Sequence, residues 1–210
     1  MTYELNLIID PYDLPLLLAA HMKLTIARQI GSDAPQVIWQ AFEPLEANQV
    51  AWENEYGVYA SKQYQERDGV IIIAFTNHFP AKDNTLNTLN ANGTFTESAT
   101  QASGVGMYAV ANHMPYDRYP ALTFGLEQKI IVNGRQIPPC PINAALVPLQ
   151  SDAQFTPQNM VYVWMQAPYE SGTIVGHAFE HWTKVVFTEG TYRHTLKYNH
   201  NTGMFEIVNQ

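Results

Sequence analysis

The sequence predicts an all-β fold, an antiparallel β-sandwich of roughly ten to twelve short strands. Three observations predict it. Side chains alternate with a period of two along most of the chain, Asn-Gly and other turn residues separate short apolar runs, and helical periodicity is nearly absent. At most one short helix fits, near the N-terminus over residues 13–22.

The clearest strand lies near the C-terminus. Tyr192, His194, Leu196 and Tyr198 share one face, and Arg193, Thr195 and Lys197 share the other. Residues 199–203 (NHNTG) form a turn and 204–208 return, so this end is a hairpin. A second hairpin has arms 129–132 and 135–137, joined by Asn133-Gly134, the pair that supplies the positive φ angles of a tight turn. Pro138, Pro139 and Pro141 stop its second arm. Further strands are expected at 5–9, 22–30, 37–42, 50–61, 70–75, 107–110, 122–128, 144–149, 159–166, 173–175 and 182–188. One domain spans 1–210, interrupted by a long Asn/Thr-rich loop at about 80–104. A loop of that length is either functional or an excursion from the compact body. Its Asn92-Gly93-Thr94 matches a glycosylation acceptor pattern but reads as a turn.

Composition bounds the partners. Charged residues make up 14% of the 210 residues, against a usual share of about 25%. Such a surface suits hydroxyl-rich ligands or close protein contacts better than ionic partners. The net charge is −8, and no two of the 11 bases are adjacent. Nucleic-acid binding draws on clustered Lys and Arg displacing counterions from phosphate, so no nucleic acid is expected. A polybasic grip on anionic lipid is disfavoured for the same reason, whereas zwitterionic or glycosylated lipid heads stay open. Cys140 is the single cysteine, which rules out an internal disulfide and fits a reducing compartment. The N-terminal stretch carries Glu4, Asp10 and Asp13 before its first base, Lys23. It therefore lacks the positive start of a secretory signal, and LPLLLAA is too short for a transmembrane segment. The expectation is a soluble chain, cytoplasmic or released by a non-classical route, with no cofactor.

Four patterns bear on chemistry. His177, Glu180 and His181 form a His-x-x-Glu-His run, the spacing of an inverted zinc-peptidase signature. Two histidines four apart share a metal on a helix, but on a strand they are about 13 Å apart. Glycines just upstream and WTKVVF just downstream leave room for fewer than two helical turns, so a polar loop is favoured and no metal is expected. Glu53 and Glu55 fall on one strand face, a spacing that side-chain swing could bring near the separation of retaining glycosidases. Such acids usually come from different strands, and a solvated face explains them. Cys140 in PPCP is placed in a rigid turn without a cation to lower its pKa, and is read as inert. Aromatic loops are the fourth pattern. His113, Tyr116, Asp117, Arg118 and Tyr119 lie in a proline-bounded segment, and Tyr169 and Glu170 lie in QAPYESG. Tyrosine rings offer apolar faces to a sugar or a lipid glycerol region, and Asp and Arg hydrogen-bond hydroxyls or head-groups.

These patterns lead to a non-catalytic binding module for a glycan or lipid head-group, lectin-like or the recognition part of a cytolysin or toxin. The first alternative is a self-associating structural protein, a homo-oligomer built through edge strands and a weakly charged surface. The second is a metallohydrolase on His177, Glu180 and His181.

Overall fold

The computed structural model describes residues 1–32, 34–63, 68–99, 104–115, 121–175 and 181–208. In chain order the first half holds β1 (Thr2–Ile8), α1 (Leu14–Ala19), β2 (Lys23–Ile30), β3 (Ile38–Phe42), β4 (Ala47–Glu53), β5 (Tyr56–Ser61), β6 (Ala74–His78), β7 (Thr85–Leu89) and β8 (Phe95–Ala99). The second half holds β9 (Tyr108–Asn112), β10 (Ala121–Val132), β11 (Arg135–Pro141), β12 (Ala145–Pro148), β13 (Asp152–Phe155), β14 (Pro157–Gln166), β15 (Thr183–Val186), β16 (Arg193–Asn199) and β17 (Met204–Ile207). The chain is an all-β sandwich with one six-residue helix among the described residues.

Three sheets make it up. The main sheet runs β17-β16-β1-β4-β10-β5-β6, and β11 and β12 also pair with β10. A second sheet runs β13-β9-β7-β8 and a third β15-β14-β2-β3. Pairing is antiparallel except between β1 and β16 and between β7 and β9. Alternation builds the interior: Tyr3, Leu5 and Leu7 of β1 are buried while Thr2 and Ile8 are exposed. They meet Val50 and Trp52 of β4, Leu24 and Ile26 of β2, Val161 and Val163 of β14, and Val110 of β9 in one apolar cluster that draws on all three sheets. A fully buried Leu or Ile contributes about 1.5–3 kcal/mol. A one-residue slip of β1 would turn Leu5 and Leu7 outward together and forfeit several kcal/mol, which fixes the register.

Several sequence expectations change. Seventeen strands are described, more than the ten to twelve expected. The stretch 80–104 is not simply a long loop, because β7 and β8 pair within it as a hairpin. Its asparagines serve the fold. Buried Asn87 donates through Nδ2 to the Ala109 carbonyl at 3.4 Å, and Asn90 Nδ2 donates to Thr96 Oγ1 at 2.6 Å. Asn92 Oδ1 accepts from the Thr94 amide at 3.1 Å, so the acceptor pattern is the hairpin's turn. Residues 50–61 are two strands, with a turn at Asn54. Conversely, 121–132 is one strand, continuing across the boundary expected near residue 128. Pro138, Pro139 and Pro141 do not end β11. It pairs only with β10, and an edge strand tolerates residues that lack an N–H. Residues 173–175 make isolated bridges rather than a strand. Asn133-Gly134 is the tight turn expected, with φ of 49° and 77°.

The outer face of the main sheet is buried where β5 meets β10. Tyr59 packs there with Val37, Ile72, Ala144 and Ile174. Its hydroxyl donates to the Asn143 carbonyl at 2.6 Å. A Cβ on Gly125 would stand 2.1 Å from that carbonyl oxygen and 2.7 Å from the Tyr59 ring. Glu127 lies on the same face, 2% exposed. Its Oε1 accepts from Asn77 Nδ2 at 2.8 Å. Burial pushes its carboxyl up to about 7, opposed only by the Asn77 hydrogen bond.

Two predictions follow from this face. Gly125→Ala should destabilise by about 3 kcal/mol or more, because the methyl meets backbone and a fixed ring. Gly134→Ala, with open space around it and only a positive φ to strain, should cost about 1–2 kcal/mol; urea midpoints compare the two. The Glu127 carboxyl holds its proton in the folded state through a range where the unfolded chain, near its ordinary 4.5, has lost it. Its contribution is therefore complete below about 4.5 and fades as pH rises through about 7. Denaturation across that window should show the wild type losing up to about 3 kcal/mol more than Glu127→Gln. Parallel pH profiles for the two proteins would refute the assignment.

Candidate functional site

A cleft of ≈ 330 Å³ opens where the three sheets meet. Arg28 and Ile30 come from the end of β2, and Gly31, Ser32, Ala34, Pro35 and Gln36 from the connection to β3. Residues 142–145, between β11 and β12, form a second wall, and Gln154 and Phe155 of β13 form a third. The chain crosses from the second sheet to the third at Thr156, whose carbonyl accepts from the Gly31 amide at 2.8 Å. That bond ties the β2 end to the crossing. The volume lies at the lower end of the roughly 300–1,000 Å³ of small-molecule sites, so the occupant it suits is small.

Arg28 is the unusual member. Period two places it on the face of β2 that carries Leu24, Ile26 and Ile30, pointing into the interior, and it is 2% exposed. Its Nη2 donates to the Tyr56 hydroxyl at 2.8 Å and to the Gln158 carbonyl at 3.1 Å. Its Cζ lies 5.7 Å from the Trp39 ring centroid, 5.6 Å from Trp52 and 5.9 Å from Tyr56. Among the described residues no carboxylate forms an ion pair with it. Arg28 Nε donates to nothing, and the nearby Trp52 Nε1 donor and Gln128 Oε1 acceptor also lack partners.

Magnitudes show that the ring contacts compensate this charge only in part. Burying an unpaired ion costs several kcal/mol. A cation–π contact returns about 0.5–2 kcal/mol, and these three lie near the ~6 Å limit of the interaction. Burial pulls the guanidinium below its ordinary pKa, partly opposed by the Tyr56 and Tyr3 phenols. It nevertheless stays protonated near neutrality, since an arginine starts above about 12. From Tyr56 the polar chain continues outward, its hydroxyl donating to Asn54 Oδ1 at 3.1 Å. Asn54 Nδ2 then donates to the Tyr3 hydroxyl at 3.1 Å and to Asn159 Oδ1 at 3.0 Å.

Amide side chains complete the cleft. Asn143 Oδ1 accepts from the Leu126 amide at 2.7 Å. Gln154 is exposed on the opposite wall. Among the described lining residues Arg28 is the one charge, and there is no acid. The lining thus combines one cation with neutral amide and hydroxyl groups that both donate and accept.

None of the described residues that the sequence singled out lines this cleft. Tyr116, Asp117, Arg118 and Tyr119 lie outside the described residues, as do His177 and Glu180 of the His-x-x-Glu-His run. His181 is exposed just before β15. His113 is exposed at the end of β9 and lines an open depression with Met114, Pro115, Leu149 and Gln150. Tyr169 and Glu170 follow β14 in the third sheet. The Tyr169 hydroxyl donates to Asp68 Oδ2 at 2.9 Å, which raises its pKa, and Glu170 pairs with Lys23. His113 thus belongs to the second sheet and Tyr169 with Glu170 to the third, and no described hydrogen bond or ion pair joins them. Glu53 and Glu55 flank the Asn54 turn instead of sharing one strand. Glu53 accepts from Thr2 Oγ1 at 3.3 Å, and Glu55 is 3.9 Å from Lys129. Cys140 lies in a strand, not a turn, and burial pushes its thiol up to about 12, with the Glu127 charge adding to the effect. Thiolate is therefore scarce at neutral pH.

Arg28 was open to discovery from the sequence: in KLTIARQI the alternation that buries Leu24 and Ile26 also buries residue 28. The cleft had no comparable signal, because its walls come from segments more than a hundred residues apart. No helix among the described residues is long and apolar enough to cross a membrane. Comparison of the chain with protein families, with curated proteins and with solved structures gives no match.

Proposed function

We propose that the protein is a non-catalytic binding module that receives a small hydroxyl-rich body, a glycan unit or a lipid head-group, in the cleft where its three sheets meet. The observation that carries this reading is the lining. A ≈ 330 Å³ space is lined by apolar Ile30, Pro35 and Phe155 and by polar Arg28, Asn143 and Gln154. Apolar walls with a few placed polar groups describe a small-molecule site. Glycans present hydroxyl oxygens and apolar ring faces together, as do lipid heads with their glycerol region, and both match such walls. A lectin-like protein or the recognition part of a toxin is the wider role this module would serve.

A second reading, self-association, is supported by a separate feature. Ile71, Ile73 and Phe75 are exposed at alternate positions leading into β6, which ends the described order of the main sheet. An edge strand with an apolar run beside it favours pairing with a second copy. Light scattering over a dilution series tests it, and a monomer at every concentration would remove it.

The cleft reading is tested on arrays of glycans and of lipid vesicles that include phosphatidylcholine and glycolipid. Saturable binding to at least one class is expected, together with a loss of about tenfold or more in Ala34→Trp, whose indole would fill the mouth of a site of this size. Ala34 is exposed, so the variant should keep the wild-type fold. Folded protein that binds nothing on either array would refute the reading.

A further inference from the structure

The lining treats Arg28 as one donor among several, yet a charge so placed asks for more than a hydroxyl. We propose that Arg28 is the docking point for an oxyanion, a carboxylate or phosphate group carried on the small polar ligand of this cleft. The inference rests on the cleft being the binding site and adds the chemical class of what enters it.

Three observations support it. First, Arg28 is 2% exposed, and among the described residues no acid is paired with it. A purely structural group at that position would be expected to be apolar like Leu24, Ile26 and Ile30, its neighbours on the same strand face, or to bring a counter-charge. Second, the guanidinium has a donor to spare. Nη2 is engaged by Tyr56 and Gln158, whereas Nε has no partner. An unpartnered N–H on a charged guanidinium suits an acceptor oxygen of a carboxylate or phosphate. Third, Arg28 is among the residues that line the cleft. An ordered water could satisfy the Nε donor, but it would leave the charge uncompensated.

The surrounding groups set the size of the ligand. The walls at Asn143 and Gln154 offer amides to hydroxyls on its body, and ≈ 330 Å³ limits that body to one small unit. An acidic monosaccharide and a phosphorylated head-group share this chemistry. The overall charge of −8 argues against capture of anions by long-range attraction, so recognition depends on contact inside the cleft.

Thermal unfolding and titration calorimetry with inorganic phosphate, acetate, glucuronate and neutral glucose test the proposal. Vesicles of phosphatidic acid and of phosphatidylcholine alone distinguish a head-group source from a free one. Glucuronate or phosphate should raise Tm with the logarithm of its concentration, with glucose giving a smaller rise. Arg28→Met, close in length and apolar, should fold with a Tm no lower than wild type, since it removes a buried unpaired charge. It should weaken anion binding by more than about thirtyfold. Should that variant fail to fold, Arg28→Lys and Ala34→Trp decide: the first should retain part of the anion response and the second should lose it. An anion response equal in wild type and Arg28→Met would overturn the proposal, as would wild type that ignores every anion. If neutral glycans or phosphatidylcholine still bind and Ala34→Trp abolishes that binding, the cleft stands and the oxyanion falls. Asp33 lies outside the described residues, and marked destabilisation by Asp33→Asn in a protein without anion response would identify the chain's own acid as the counter-charge and overturn the proposal.

Discussion

One strand holds the architecture together. β10 pairs with β4, β5, β11 and β12, and it is packed on both faces over most of its length. Leu122, Phe124, Leu126 and Ile130 face the apolar interior, and Thr123, Gly125 and Glu127 face the outer layer. From Leu122 to Gln128 the strand has no solvent face on which to place a misfit, so each residue there is constrained by a neighbour. The wall of the cleft is suspended from the same strand. The Ile142 amide donates to the Leu126 carbonyl at 2.9 Å, and Asn143 accepts from the Leu126 amide and from the Tyr59 hydroxyl. The position of the cleft's second wall is thus inherited from the most tightly held part of the fold, as a preorganised site requires.

The opposite wall comes from a discontinuity. β13 ends in one sheet and β14 begins in another with only Thr156 between them. Two sheets that share a layer without sharing hydrogen bonds leave a seam, and side chains at a seam have neighbours on fewer sides. Arg28 is at that place on β2. Arg28 is among the residues that line the cleft, while its guanidinium is held among Tyr56, Trp39, Trp52 and the Gln158 carbonyl.

Much of the fold was legible from alternation. The tight turn at Asn133-Gly134, the C-terminal β16–β17 pairing and the single short helix all depend on local chemistry that a sequence displays directly. Local chemistry misled where polar side chains were doing backbone work. Asn87 and Asn90 suggested a loop, yet they hydrogen-bond within the β7–β8–β9 sheet. The prolines around Cys140 suggested a stop, yet they occupy an edge strand with one neighbour. The parallel pairs β1–β16 and β7–β9 could not be read, since each joins segments whose association depends on everything between them. For the site, composition favoured aromatic loops, where tyrosines and amides are conspicuous. The buried arginine was less conspicuous because it looks like any other base until the strand's inward face is counted position by position.

Glu127 and Arg28 show how differently the same burial acts on an acid and a base. They lie on opposite faces of the main sheet's layer, each 2% exposed and neither in an ion pair among the described residues. The carboxyl answers desolvation by keeping its proton, and its pKa moves up to about 7. Below neutral pH it is largely a neutral group with an amide partner, and the buried charge is largely gone. The guanidinium has no such exit. Desolvation lowers its pKa as well, but from a value above about 12, so the proton remains at any pH at which the protein would function. An acid can be buried alone and discharge itself; an arginine can only be accompanied. Three aromatic rings and two acceptors accompany Arg28 from within the chain, and they leave Nε and the net positive charge unanswered. On the oxyanion proposal the remaining compensation comes from a bound anion, and Arg28 is among the residues that line the cleft.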